Sequence, residues 1–206
     1  MKRTVLLLAV AVALLGTPAA VAKDGSQTVA YLGCSITMDA VNGYTALGGD
    51  DLWQPTLEIS NGSPERWRDP TSRHWAVFDA ALALHRPPSA VWYEVCPQWR
   101  NPSLNVGTLE GWLRQSIALL RLRIDAPVYM SAPPDLDTGV RPRCRAERDQ
   151  PRELWQQVIA PLLAAGTVLP GPDMPALFSS EKRDGCHGNS AGQAKWGQVL
   201  VAFFGT

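Results

Sequence analysis

The chain has 206 residues, and its 19 Lys and Arg are balanced by 19 Asp and Glu, so the formal net charge is zero. A chain of this length fits one domain with a full hydrophobic core. Because basic residues are not in excess, the composition argues against a nucleic-acid partner.

The N-terminal residues have the pattern of a secretory signal peptide. Two basic residues precede an apolar run from Val5 to Leu15, and the small residues at 20–22 fit a cleavage site. The run is short for a membrane span of about 20 residues, so we expect no stable membrane insertion after cleavage. We predict a signal peptide at 1–22, one domain at 23–206, and a secreted or periplasmic protein.

Strand and helix patterns alternate along the remaining chain. Short, mostly apolar runs indicate strands at Thr28–Leu32, Thr56–Ser60, Ala90–Val95, Pro127–Ser131 and Val168–Leu169. A long loop rich in Gly and Asp, through Gly43 and Asp51, is expected between the first two strands. Helical patterns cover Ser72–His85, Thr108–Arg123, Pro151–Gly166 and Ser190–Phe204. This order favours a flavodoxin-like three-layer αβα sandwich with a central parallel sheet of about five strands.

Two polar segments have the residue types that nucleophilic catalysis requires. Ser35 comes just after the first strand, where a turn into a helix would expose its hydroxyl to the positive helix end. Asp184 precedes His187 by three residues in a stretch rich in Gly, Asn and Ser. This spacing lets the carboxylate of Asp184 reach Nδ1–H of His187, which leaves Nε2 free to act as a base.

These motifs resemble those of the SGNH (GDSL-type) hydrolases, which place a serine after the first strand and Asp-x-x-His before the last helix. The resemblance covers nearly all of residues 23–206. It implies an ester hydrolase in which Ser35 is the nucleophile, His187 is the general base and acid, and Asp184 orients the imidazole. We expect no cofactor and no metal.

The resemblance also implies an oxyanion hole made by the Ser35 backbone N–H, a glycine after the second strand and an asparagine after the third. Gly62 fits the glycine position. At the asparagine position the family pattern Gly-x-Asn-Asp is replaced by Cys96-Pro97-Gln98-Trp99. Gln98 is therefore the candidate donor, and Asn101 is the competing one. Because they follow predicted strands, these groups should meet at one edge of the sheet.

The four cysteines, Cys34, Cys96, Cys144 and Cys186, can form disulfides in an exported protein. Cys34 stands where the family usually has an Asp before its serine. Since Cys34 and Cys96 end strands predicted to be neighbours, either a bridge or two buried thiols would fit. A Cys144–Cys186 bridge would hold the His187 loop. Cys34 as the nucleophile and a zinc site that includes Cys186 and His187 are less favoured alternatives.

Tryptophan is abundant, with eight residues. Trp53, Trp67 and Trp99 fall in loops at the predicted active edge, where they would stack on a sugar ring or cover an acyl group. Packing of the loops is the alternative. Trp67, Trp99 and Asn101 are the candidate substrate contacts.

The combined features predict an exported serine esterase that hydrolyses a small ester through an acyl-enzyme on Ser35. O-acyl groups on a carbohydrate are the favoured substrate class, and acyl transfer is an open alternative. A non-catalytic glycan- or ligand-binding module on the same fold is the competing hypothesis. A thiol-redox protein is a third, which the lack of a Cys-x-x-Cys pair disfavours.

Overall fold

The computed structural model describes residues 27–53, 59–96, 104–135 and 151–205. The strands among these residues are β1 (Val29–Leu32), β2 (Ala90–Glu94), β3 (Val128–Ser131) and β4 (Leu169–Pro170). The helices are α1 (Ser35–Ala46), α2 (Pro64–Trp67), α3 (Arg73–Leu84), α4 (Val106–Arg121), α5 (Arg152–Ala164) and α6 (Ser190–Phe204). A short 3₁₀ helix at Ser179–Glu181 precedes α6. Over this part of the chain, no helix combines the length and apolar character needed to cross a bilayer.

The sheet is parallel throughout, with the strand order β1-β2-β3-β4. Val29 begins β1 opposite Ala90 of β2, and on the other side of β1 Leu52 forms a parallel bridge with Val29. At Leu52 the chain therefore lies beside β1, on the side away from β2, shortly before the predicted strand Thr56–Ser60. The predicted strand Thr56–Ser60 lies mostly outside the described residues, and its described end, residues 59–60, is not in a strand.

Helices cover both faces of the sheet. On one face α1 packs against α6, and on the other α4 packs against both α2 and α5. Successive residues of a strand point to opposite faces, and β2 follows this rule: the Trp92 ring lies 6.4 Å from Phe204 of α6, whereas the Tyr93 hydroxyl faces Ser116 of α4. The three-layer αβα sandwich predicted from the sequence is confirmed.

The chain after Ser35 differs from the prediction. It is helical up to Ala46, although the glycine-rich pattern predicted a loop through Gly43. Glycine inside a helix costs about 1 kcal/mol relative to Ala, but here α6 requires the space. A Cβ atom on Gly43 would lie 1.8 Å from the carbonyl oxygen of Gln193, and one on Gly197 would lie 2.3 Å from the carbonyl carbon of Gly43. Glycine thus lets α1 and α6 touch along their backbones.

A disulfide joins the carboxyl ends of β1 and β2. Cys34 and Cys96 are bonded, with their Cα atoms 6.1 Å apart, and both are buried. Of the two arrangements that fit the sequence, the structure has the bridge. It fixes the residue directly before Ser35 to the chain that follows β2.

Replacing Cys34 and Cys96 together by Ala should lower the free energy of unfolding by about 2–4 kcal/mol, because the bridge constrains the unfolded chain across a separation of 62 residues. Urea unfolding monitored by tryptophan fluorescence measures this change. The single variant Cys34→Ala loses the same crosslink, so it should be no more stable than the double variant. An unchanged free energy of unfolding in the double variant would contradict the prediction.

Candidate active site

Three residues singled out in the sequence lie together at the carboxyl end of β1. The Oγ atom of Ser35 is 2.8 Å from Nε2 of His187. Nδ1 of His187 is 2.8 Å from Oδ2 of Asp184 and 3.1 Å from Oδ1. Ser35 is the first residue of α1, whereas Asp184 and His187 belong to the loop before α6. The structure therefore aligns a hydroxyl, an imidazole and a carboxylate in a continuous hydrogen-bonded row.

The Asp-x-x-His spacing produces a tight local turn. Oδ1 of Asp184 accepts hydrogen bonds from the backbone N–H groups of Cys186 and His187, both at 2.8 Å. Partial burial would raise the pKa of Asp184, but these two N–H groups and the imidazole lower it below its ordinary value. An ionised carboxylate can only accept, so the proton of the neutral imidazole is on Nδ1. Nε2 is then free to accept the proton of the Ser35 hydroxyl.

The start of α1 provides a favourable place for negative charge beside Ser35. The N–H of Cys34 donates to Oγ1 of Thr37 at 3.0 Å, which closes the turn between β1 and the helix. The first N–H groups of a helix have no acceptor within the helix, and its dipole adds partial positive charge there. The Ser35 N–H belongs to this first turn, so it is a candidate donor to the oxyanion of a tetrahedral adduct bonded to Ser35 Oγ.

The turn that carries Gly62 packs against the residue two positions before Ser35. A Cβ atom on Gly62 would lie 1.8 Å from the carbonyl oxygen of Gly33, so this contact requires glycine. The N–H of Gly62 donates to the carbonyl oxygen of Ile59 at 3.0 Å. The Gly62 N–H, a predicted oxyanion donor, therefore lies close to the chain segment that carries Ser35, and its present acceptor is the Ile59 carbonyl oxygen.

Trp67, a candidate substrate contact, instead lies in the core and supports the contact between the Gly62 turn and Gly33. Its side chain is completely buried, and its Nε1–H donates to the Gly33 carbonyl oxygen at 3.0 Å. Its ring packs edge-on against Trp75, at 5.0 Å between centroids. Nε2 of His74 is 3.0 Å from the carbonyl oxygen of Ser60, which holds the start of the same turn. The prediction that Trp67 lies in a loop at the active edge is wrong, because Trp67 ends α2 and its indole is packed in the core.

Several predicted residues lie outside the described part of the chain. They are Gln98, Trp99, Asn101 and Cys144. Gln98 and Asn101 therefore stay alternative predictions for the remaining oxyanion donor. Cys186 is disulfide-bonded, and Cys144 stays its predicted partner. Where the chain is described, no three or more His, Cys, Asp and Glu side chains are grouped to bind a metal ion.

Glu94, whose role the sequence analysis missed, lies beneath the site. It ends β2, is completely buried and lies close to Thr37 and Asp39 of α1. Burial raises the pKa of Glu94 to about 7; the Thr37 hydroxyl and Arg152 oppose this rise, and the charge of Asp39 adds to it. The available signal was an acid in an otherwise apolar central strand.

Glu94→Gln should stabilise the protein at about pH 8 and change little at about pH 5. The folded protein holds the Glu94 proton up to about pH 7, whereas the unfolded carboxyl group releases it near its ordinary pKa of 4.5. Wild-type stability should therefore fall as pH rises between these values, by on the order of 3 kcal/mol. Because Gln does not ionise, Glu94→Gln does not lose this stability as pH rises.

Urea unfolding of both proteins at the two pH values measures this difference. Glu153→Gln, which changes an exposed acid of α5, is the matched control and should show no such dependence on pH. An equal stability difference between the Glu94 variant and the wild type at both pH values would contradict the assignment.

No family model matches the chain, and no curated protein matches it in sequence. Solved structures match its fold. An aryl esterase from M. smegmatis matches with a TM-score of 0.60 and 14% identity, over 84% of this chain and 96% of that one. A carbohydrate esterase family 3 protein from Talaromyces cellulolyticus matches with a TM-score of 0.54 and 13% identity, over 84% and 94%. A lipolytic G-D-S-L family protein from Veillonella parvula matches with a TM-score of 0.55 and 14% identity, over 85% and 97%.

At these identities the likeness concerns the fold, and it extends over nearly the whole length of each of these proteins. The chain has the fold of the SGNH (GDSL-type) hydrolases, as the resemblance of its motifs implied.

Proposed function

We propose that this protein is an exported serine esterase that hydrolyses a small ester through an acyl-enzyme on Ser35. The observation that carries the proposal is the 2.8 Å hydrogen bond between Ser35 and His187, two residues 152 positions apart in the sequence. Asp184 completes the row from the far side of the imidazole. The fold shared with an aryl esterase and a carbohydrate esterase supports the same class of reaction.

In the proposed reaction, Nε2 of His187 removes the Ser35 proton as Oγ attacks the ester carbonyl carbon. The resulting oxyanion accepts hydrogen bonds from the Ser35 N–H, with Gly62 and Gln98 or Asn101 as further donors. The imidazolium then protonates the leaving alcohol, and the acyl group stays on Ser35. His187 next removes a proton from water, which attacks the acyl-enzyme, releases the acid and restores the Ser35 hydroxyl.

An O-acyl group on a carbohydrate is the favoured substrate class within this proposal. The carbohydrate esterase from Talaromyces cellulolyticus supports it, since it shares the fold. Export to the periplasm or the medium is proposed from the pattern of residues 1–22. The Cys34–Cys96 bridge is consistent with export, because disulfides persist in oxidising compartments.

The competing hypothesis of a non-catalytic glycan-binding module depends in part on tryptophans at the surface of the active edge. Trp53 and Trp67 are both completely buried, and Trp53 stacks on His85 with ring centroids 5.0 Å apart. Their burial removes two of the three rings that could stack on a sugar. We therefore favour the esterase.

A fluorophosphonate probe should label the mature protein at Ser35, and the labelling should require His187. Ser35→Ala should abolish the adduct, because the nucleophile is absent. His187→Ala should slow labelling by at least about 10³-fold, since the hydroxyl loses its base. Mass spectrometry of the digested protein locates the adduct.

Ser190→Ala is the matched control for this experiment. Ser190 is also the first residue of a helix and is exposed. If a position at the start of a helix were enough to activate a serine, the probe would label Ser190 as well as Ser35. This variant should be labelled like the wild type. A folded wild-type protein that takes up no probe would contradict the esterase proposal and favour the binding module.

Alanine substitutions at Gln98 and Asn101 should identify the second oxyanion donor. Loss of the true donor should lower kcat for an aryl ester by about 10²–10³-fold with little change in KM, because the donor acts on charge that develops in the transition state. The other substitution serves as the control and should leave kcat close to that of the wild type. Steady-state kinetics with both variants tests this, and unchanged kcat in both would exclude the two candidates.

A further inference from the structure

An acidic residue, Asp39, lies on α1 one turn after Ser35. Asp39 follows Ser35 by four positions, so the two side chains project from the same face of the helix. Asp39 is only 3% exposed. A buried carboxylate is costly unless hydrogen-bond donors surround it, so the position of Asp39 depends on what it contacts.

The donors to Asp39 come from the far end of the chain. Oδ1 accepts from a guanidinium N–H of Arg183 at 2.9 Å and from the side-chain amide of Gln193 at 2.8 Å. Oδ2 accepts from the backbone N–H of Gly188 at 3.1 Å. Three donors from the loop before α6 and from α6 itself thus converge on one carboxylate of α1.

These contacts hold both ends of the loop that carries Asp184 and His187. Arg183 directly precedes Asp184, and Gly188 directly follows His187. The two ends are also bonded to each other, because the same guanidinium nitrogen donates to the Gly188 carbonyl oxygen at 2.9 Å and the Arg183 N–H donates to the His187 carbonyl oxygen at 3.0 Å. Asp39 therefore binds both ends of a loop whose ends are also hydrogen-bonded to each other.

Cys186 in this loop is buried and disulfide-bonded, but the side chains of Asp184 and His187 are packed only in part. The Asp184 side chain is 53% exposed and that of His187 is 22% exposed. The glycine contact between Gly43 and Gly197 sets the distance between the two helices, but it lies along the helices beyond the loop. Together with the Ser35–His187 hydrogen bond, the Asp39 carboxylate ties the loop to the helix bearing Ser35.

We propose that Asp39 is a positioning residue: it holds the Asp184–His187 loop at the distance from α1 at which the His187 imidazole reaches the Ser35 hydroxyl. The proposal rests on the proposed function of the Ser35–His187–Asp184 row. It assigns Asp39 no contact with substrate. We call the hydrogen bonds from Arg183, Gly188 and Gln193 to Asp39 the clamp. A displacement of about 1 Å at reacting groups costs on the order of 10²-fold in rate, so loss of the clamp should slow the reaction of Ser35.

Asp39→Asn tests the clamp in the full mature protein. The carboxylate presents two acceptor oxygens to three donors, whereas Asn has one oxygen and an NH₂ group that would face a donor. The rate constant for fluorophosphonate labelling of Ser35 should fall by about 10–100-fold. Hydrogen exchange of the Gly188 amide should become at least about 10-fold faster, because its acceptor is weakened.

A spectroscopic readout separates positioning from general damage to the loop. The Asp184–His187 hydrogen bond is local, so the downfield Nδ1–H proton of His187 should persist in the NMR spectrum of Asp39→Asn. The expected result is an intact imidazole–carboxylate pair that no longer activates Ser35. A wild-type labelling rate in folded Asp39→Asn would overturn the proposal.

Glu181→Gln is the matched control. Glu181 forms an ion pair with Lys195 of α6 at 3.0 Å, and it also lies just before the loop. This variant loses a partly exposed ion pair near the loop and no hydrogen bond between the loop and α1, so it should keep the wild-type labelling rate. An equal fall in rate in Glu181→Gln and Asp39→Asn would mean a general structural effect and would also overturn the proposal.

If Asp39→Asn does not fold, Gln193→Leu removes one donor and leaves Arg183 and Gly188 on the carboxylate. It should slow labelling by about 3–10-fold with the Nδ1–H signal retained, and an unchanged rate would count against the clamp. A wild-type protein inert to the probe would mean that the proposed function fails. In that case the Gly188 exchange rate still decides whether Asp39 holds the loop.

Discussion

The hydrogen bond between the Ser35 hydroxyl and the His187 imidazole joins the start of α1 to the loop before α6, and much of the fold keeps its two partners 2.8 Å apart. The parallel sheet contributes first, because the carboxyl end of β1 delivers the chain to Ser35 at the edge where sites form in such sheets. Glycines on α1 and α6 then allow close contact between the two helices. The Cys34–Cys96 bridge anchors the residue directly before Ser35.

Three acidic side chains around this bond are in different environments. Asp184 is partly exposed, and backbone N–H groups keep its pKa low, so it is ionised and orients the imidazole. Asp39 is buried but paired with Arg183. Glu94 is buried beneath α1, and its raised pKa favours the neutral form below about pH 7. One carboxylate thus acts on the imidazole, one holds the loop, and one stays mostly protonated in the core at mildly acidic pH.

The sequence predicted those features whose determinants are local. The alternation of strand and helix patterns was sufficient for the three-layer sandwich, and a spacing of three residues was sufficient to pair Asp184 with His187. Ser35 could be placed because it follows a strand. The helical course of α1 was missed, because the glycine at position 43 weakens a helical pattern unless the contact with α6 is known.

Other features depend on contacts between distant segments, and no local pattern encodes them. Asp39 and Arg183 are 144 positions apart, so nothing near either residue reveals their ion pair. Trp67 lies in a segment that reads as a loop, and its burial follows from packing against Trp75 and the Gly33 carbonyl. Glu94 gave a signal, as an acid in an apolar strand, but its surroundings could be known only from the packed sheet.

The central claim is that Ser35 is a nucleophile activated by His187. A crystal structure of the mature protein after reaction with a phosphonate ester tests it most directly. The account predicts phosphorus bonded to Oγ of Ser35, Nε2 of His187 within hydrogen-bonding distance of an oxygen on that phosphorus, and the phosphoryl oxygen directed at the Ser35 N–H. Phosphorus on another side chain, or an unmodified Ser35 in a protein that has reacted, would contradict it.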